Sequence, residues 1–440
     1  MSDALPLPPH PNIEQYKKLA KDFQQACKSG APGAIRDWAA RWAEKLAELR
    51  GLEITPLLRS RIDFESERLA GQWREFKETK DRASRCVLAD AQYFVARAHG
   101  FASWPRFTRH LDGLQVANSP ISTFESAVDA IVSGDLMALE KLLNENPGLA
   151  KARSTREHRS TLLHYVSANG VEDFRQRTPR NIVEITRLLL ERGADVNAES
   201  EAYGGRSTTL GLTATSWHPE KAGVQIPLME LLFDHGAVID GPDGGSAVIG
   251  CLQNGRGKAA EFFASHGALL DLEGAAGAGR LDVVRSFVND DGSLKPTATQ
   301  QQLKDGFAWA CEFGRTSVVD FLLSKSIDVT TKLKPSGQTG LHWAAFFGHI
   351  DTVKSLLSFG APVDVKDESF GKTPLGWALF GWGQNQDGAD HYEVVTLLSR
   401  AGAKLDQEWY EDNEVHRRAV EEKMRSDPRM IAALRGESPH

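Results

Sequence analysis

The sequence predicts an all-α protein: a solenoid of about eight helix-pair repeats joined by short β-turns, preceded by a small helical domain. Three observations predict it. Trp309, Trp343 and Trp377 stand 34 residues apart. The stretch around the middle one, TGLHWAAFFGHIDTV (339–353), recurs in recognisable form on either side. Each Trp is followed at once by Ala, and Gly comes within a few residues, so small residues let neighbouring helices approach closely.

Length and composition bound the reading. The chain has 440 residues, 41% hydrophobic and 25% charged, with 39 Gly and 19 Pro, enough for two or three domains or one extended array. No stretch approaches the roughly 18 consecutive apolar residues of a membrane span. The N-terminal MSDALPLPPHPN lacks the basic and apolar regions of a secretory signal. Four scattered cysteines, Cys27, Cys86, Cys251 and Cys311, form no CxxC pair; they fit a reducing compartment, and the cytoplasm is expected. Residues 1–116 carry 19 Lys+Arg against 15 Asp+Glu, whereas the remainder carries 33 against 44. The bulk of the chain therefore repels phosphate backbones, and nucleic acid is disfavoured as a partner.

The elements follow in order. Residues 13–113 read as helices, with NIEQYKKLAKDFQQACKSG, AIRDWAARWAEKLAEL and a charged segment over 60–82. The last of them, LADAQYFVARAHGFASWPRFTRHLDGL, has two readings. It can be a helix-turn-helix presenting Arg106, Arg109 and His110, or a helical cap with Trp104 and Phe107 packed inward. The cap is the reading we adopt. An entry repeat covers 124–152. Further helix pairs begin at STLLHYVSANG (160–170), LGLTATS (210–216), VIGCLQNG (248–255), LEGAAGAG (272–279), GFAWACEFG (306–314), LHWAAFFG (341–348) and LGWALFGWG (375–383). In the second helices the apolar residues fall at i, i+3, i+4, as with Val353, Leu356 and Leu357, and Gly193 and Gly360 stand where a left-handed stop is needed. No single pair can bury its own face, so neighbours must stack. The tail QEWYEDNEVHRRAVEEKMRSDPRMIAAL reads as a helical cap. The expected domains are 1–116, 117–406 and 407–440.

The shared skeleton T-x-L-H-x-A-A-x-x-G-H, met in full at Thr339, Leu341, His342, Ala344, Ala345, Gly348 and His349, resembles the ankyrin repeat. The Pro of that family's TPLH motif occurs once, at Pro374. The resemblance covers about two-thirds of the chain. The N-terminal helical segment is similar to one found ahead of ankyrin arrays in some bacterial proteins. The resemblance implies protein partners and no chemistry of the fold's own. It also gives His164, His342 and His349 structural roles, hydrogen-bonding neighbouring turns.

Other motifs add little. GCLQNGRGKA (250–259) is no phosphate loop, because Arg256 stands where Lys is required and no Ser or Thr follows. Nucleophile elbows and metal-ligand spacings are absent, so no cofactor and no metal is expected. Three features remain as candidate sites. The first is the aromatic column, Trp309, Phe313, Trp343, Phe346, Phe347, Trp377 and Phe380, running beside small residues at Gly250 and Gly274 that would leave a dent. If each aromatic exposes roughly 100 Å², covering it contributes about 2.5 kcal/mol. The alternative is that the column merely packs between first helices. The second is a set of insertions at 171–182, 217–225 and 382–391. They carry Glu172, Asp173, Arg175, Arg177, Trp217, His218, Asp387, Asp390 and His391, either as polar loops in water or as a site. The third is a turn with Tyr203 and Arg206. The sequence thus predicts a protein-binding scaffold that uses the aromatic face with Arg177 and Trp217. Its alternative is an enzyme or small-molecule binder with a pocket in the irregular middle repeats and inserted loops, drawing on Asp173, Tyr203, His218 and His391.

Overall fold

The computed structural model describes residues 4–79, 86–241, 246–325, 327–332, 337–384, 389–405 and 415–438. It divides into two compact units, 1–238 and 239–440. Within the first, five helices precede the repeats: α1 (Ile13–Ser29), α2 (Ala34–Leu49), α3 (Pro56–Thr79), α4 (Leu88–Ala98) and α5 (Trp104–Gln115). Asn12 caps α1 by accepting from the Glu14 amide, and Gly30 ends it at φ 62°, the left-handed stop that glycine takes without a Cβ clash. The five share one aromatic core built on Tyr16, Phe23, Trp38, Trp73, Phe94 and Phe107.

Phe107 is fully buried and Trp104 packs against the same core. Arg106 and Arg109 face solvent. His110 does not, because its Nδ1 pairs with the Thr155 hydroxyl at 2.8 Å in a buried setting. An imidazole held inside cannot reach a base edge, so the helix-turn-helix reading loses His110.

Three helix pairs follow in this unit. The first is α6 (Pro120–Ser133) with α7 (Leu136–Glu145). In the second, a 3-10 helix, Leu162–Ser167, pairs with α8 (Ile182–Glu191). The third joins α9 (Thr209–Thr215) to α11 (Gln225–Asp234), with α10 (Trp217–Lys221) inserted between. Two-residue strands, β1 (Glu199–Ser200) and β2 (Ser207–Thr208), pair antiparallel in the connecting hairpin.

Among the described residues the second unit holds five pairs and a cap. The pairs are α12 (Ala247–Gln253) with α13 (Gly257–Ser265), α14 (Leu272–Gly277) with α15 (Leu281–Ser286), α16 (Gln300–Glu312) with α17 (Thr316–Ser324), α18 (Gly340–Phe346) with α19 (Ile350–Ser358), and α20 (Pro374–Gln384) with α21 (Ala389–Arg400). The cap is α22 (Val415–Ser426) and α23 (Pro428–Leu434). First helices stack on first helices, so one continuous apolar core runs from Leu272 to Ala433. Gly193 and Gly360 follow α8 and α19 at φ 83° and 81°. The fold is an all-α solenoid.

Small residues set the spacing. A Cβ on Gly277 would come 2.4 Å from Leu252 and 2.9 Å from Trp309, and one on Gly381 would come 2.0 Å from the Phe346 carbonyl oxygen. Glycine is required there by close packing, against side chains at Gly277 and against backbone at Gly381, not by conformation. The expected dent is only half present. Gly250 faces open space, but Gly274 is buried, and a Cβ there would lie 3.3 Å from Asp271 and 3.5 Å from Val248. Removing a side chain there lets the stack close up.

The cap completes the last pair. Trp382 is buried under it, with the Lys423 ammonium 4.3 Å from its ring centroid, and the Tyr392 hydroxyl donates to Asp427 at 2.6 Å.

Candidate functional site: an aromatic face flanked by acids

The repeat histidines build the scaffold behind the face. In α18 the Thr339 amide donates to Nδ1 of His342 at 3.0 Å, which leaves Nε2–H to donate to the Lys372 carbonyl at 3.1 Å. His164 repeats the arrangement with Thr161 and Ser207, at 3.1 and 3.2 Å. Burial lowers both imidazoles, His164 to about 4, so they stay neutral and act as rigid spacers. Nε2 of His349 donates to the Glu312 carbonyl at 2.7 Å, and that of His391 to the Phe346 carbonyl at 2.9 Å. His391 is therefore the counterpart of His349, bracing one repeat on the previous first helix. Its ring is buried and unavailable for chemistry. Asp390, one residue earlier, is exposed, and Asp387 lies outside the described residues.

On this scaffold the aromatic column is continuous over α18 and α20. Trp343 meets Trp377 edge-on at a centroid distance of 5.2 Å, and Phe346 lies 5.6 Å from Trp377 and 6.1 Å from Phe380. Phe346 and Phe347 meet at 4.8 Å. The tryptophans are half-buried, whereas Phe347 and Phe380 keep 41% and 40% of their surface. Packing between repeats and outward exposure thus coexist: the inner edges stack and the outer ones face water.

Neither half of the column is uniform. Trp309 donates its indole N–H to Glu273 at 2.9 Å and stacks on Phe313 at 6.1 Å. Phe313 also reaches α13, where a Cβ on Gly257 would lie 2.5 Å from its ring, and it is half-buried there.

Sequence reasoning missed two groups. Phe370, on the turn before α20, is 67% exposed and lies 6.2 Å from Trp377. Asp367 shapes that turn, accepting from the amides of Ser369, Phe370 and Lys372 and from the Trp377 indole at 2.7–3.0 Å. Burial alone would raise its carboxyl, but these donors hold it below its ordinary value.

The second missed group is acidic. Asp305, Trp309 and Glu312 lie on one face of α16 by helical spacing; beside them Asp271 caps α14 and Glu273 stands in its first turn. Their partners are Gln301, Gln302 and Trp309; among the described residues no Lys or Arg pairs with these four acids. Burial raises Glu312 to about 7. Glu273 is raised by burial first, and then by repulsion from Asp305 and Asp271. A protein surface that holds carboxylates this way favours a cation.

The insertion residues of the first unit separate into two groups. Glu172 and Arg175 are buried, correcting the expectation of a loop in water. Arg156, fully enclosed, ion-pairs with Glu172 and donates to the His99 carbonyl at 2.9 Å, its guanidinium 5.0 Å from the Phe101 ring centroid. Arg175 binds Glu125 at 2.6 Å and Asp129 at 2.9 Å. Glu172 is held well below the carboxylate range: burial opposes this, but Arg156, His158 and Arg175 outweigh it. Asp173 and Arg177 are exposed. Asp173 is near enough to His218 to favour its charged form, although burial leads and lowers that imidazole. Trp217 keeps 49% of its surface, with Lys221 4.4 Å from its ring centroid. The Tyr203 hydroxyl donates to the Asn169 side chain at 2.6 Å, from a backbone at φ 52°. Arg206, at φ 59°, lies 3.6 Å from Glu199. Among the described residues no group of three His, Cys, Asp or Glu could hold a metal ion, and no helix is long and apolar enough to cross a membrane.

Stacked helical hairpins with threonine- and histidine-braced turns define a repeat protein of the solenoid class. Comparison agrees for the C-terminal pairs: a family model of ankyrin repeats, in three copies, matches residues 307–408. Among solved structures it is similar to the human ASB11 ankyrin repeat domain, at 19% identity over 64% of this chain and 99% of that one, with a TM-score of 0.31. A score that low supports no inference about a site. None of the curated proteins matches the chain. Ankyrin repeats are, in general, scaffolds for protein interaction.

Proposed function

We propose that the array docks a protein segment bearing a cationic side chain, taken up on the aromatic face of α18 and α20 and drawn in by the acids of α14 and α16. The observation that carries this is the unbroken run Trp343, Phe346, Phe347, Trp377 and Phe380, whose outer members stay exposed. Aromatic anchors in a charged surround have the composition of binding hot spots. An Arg or Lys over these rings gains roughly 0.5–2 kcal/mol from the ring quadrupoles, and the neighbouring carboxylates speed its approach. Residues 117–440, with 33 basic against 44 acidic side chains, add the same sign of field. In this reading residues 1–116 are a helical module, 117–406 the array and 407–440 its cap.

The test is a displayed peptide library panned against the full chain. Selected peptides should be rich in Arg or Lys beside an apolar residue, and should bind Phe347→Ser and Phe380→Ser variants at least about tenfold more weakly, or roughly 1.4 kcal/mol. Peptides without basic residues, or equal binding by the variants, would refute the assignment.

A further inference from the structure

The first unit contains a cavity of about 520 Å³ that the aromatic face does not use. One wall is the extended stretch with Pro8, Pro9 and Pro11, which proline stiffens. The others come from the end of α2, from α6, and from the inserted loop at Phe174–Arg177.

Its charge is unbalanced. Four arginines line it, Arg50, Arg156, Arg175 and Arg177, against two acids, Glu125 and Asp129. Both acids are spent on Arg175, and Glu172 behind them is spent on Arg156. Arg50 and Arg177 have no acidic partner among the described residues, although each lines the same space. They are close enough that Arg177, after burial, depresses the Arg50 guanidinium. Like charges facing one another are unfavourable unless an anion sits between them. A further donor is left over: Nε of Arg175, whose side chain is 9% exposed, is buried without a hydrogen-bond partner. Buried donors of that kind normally find an acceptor.

We propose that this cavity binds a small organic phosphate, held by Arg50 and Arg177 with Arg175 behind them. Guanidinium forks match phosphate oxygens in pairs. The volume suits a ligand of sugar-phosphate to nucleotide size. The carboxylates Glu125 and Asp129 would then orient Arg175, while the outer two arginines supply the charge that the ligand neutralises.

Calorimetry on the full chain at low ionic strength tests this, with inorganic phosphate and pyrophosphate as probes and citrate as the carboxylate comparison. Pyrophosphate should bind with a dissociation constant below about 1 mM, more tightly than citrate. Arg50→Ala and Arg177→Ala should each weaken it by at least about tenfold. Arg50→Lys should recover only part, since it keeps charge and loses the fork. Both positions are exposed, and circular dichroism of the variants checks that they fold. Arg192→Ala, outside the cavity, should bind like the parent. Citrate binding as tightly as pyrophosphate would overturn the phosphate assignment. Absent binding, or binding equal in all variants, would overturn the site.

Discussion

Nε2 of His391 reaches the main-chain oxygen of Phe346 at 2.9 Å, while Gly381 passes so near that a Cβ there would lie 2.0 Å from that same oxygen. One carbonyl thus receives both the brace from the next helix pair and its closest backbone approach. Gly381→Ala should force α20 off α18 and break the histidine contact, costing about 1–3 kcal/mol. Urea unfolding checks this; a loss below about 0.5 kcal/mol would mean the stack absorbs the methyl easily.

Phe347 and Phe380 each meet the Phe346 ring but keep 41% and 40% of their surface in water. Replacing either with Ser should leave the melting temperature nearly unchanged, within the roughly 0.5 kcal/mol typical of surface changes. Trp343→Ala, by contrast, removes the edge contact to Trp377 and should cost about 3 kcal/mol or more. Thermal melts of the three variants separate exposed anchors from packed ones.

Glu312 titrates near 7 because the fold withdraws it from water. Its native value lies above the ordinary carboxylate value, so the native state holds the proton more firmly than the unfolded chain. This contribution makes the protein less stable as pH rises from about 4.5 to 7, by at most about 1.4 kcal/mol per pH unit. Glu312→Gln should therefore flatten that slope and melt higher than the parent at pH 8. Below pH 4.5 the two should coincide.

Glu172 is displaced in the opposite direction. Its native value is depressed, so its contribution is present above the ordinary carboxylate range and is lost as pH falls through and below that range. Glu172→Gln leaves Arg156 enclosed with one counter-charge fewer and should cost about 3–5 kcal/mol at pH 7. The penalty should shrink on acidification. A penalty independent of pH would show that the ion pair is not what stabilises this region.

Much of the architecture was legible in the chain. The T-x-L-H-x-A-A pattern marks α18, and the apolar spacing of Val353, Leu356 and Leu357 marks α19. The turn-bracing roles of His164 and His342 follow from the same motif. The site was less so. Phe313 shares its column with Phe347, yet packs against Gly257, a partner 56 positions away that no local pattern points to. Glu172 and Arg175 read as loop polarity because their counter-charges, Arg156 and Glu125, arrive from other elements. His391 looked like a free imidazole because the A-A-x-x-G-H spacing that ends at His349 is replaced before it by the longer stretch ALFGWGQNQDGAD. Glu312 occupies a position where its counterparts are Phe346 and Phe380, and only burial turns it from a surface acid into a group that titrates near neutrality.

Arg156 belongs to the segment that leads into the second helix pair, yet its lid is Phe101 and its acceptor is the His99 carbonyl. Cutting the chain at residue 117 would strip that lid and open an enclosed guanidinium–carboxylate knot to solvent. The first repeats thus borrow their end plate from the upstream helices, so a truncated array would lose a wall of its own interior along with the extra domain.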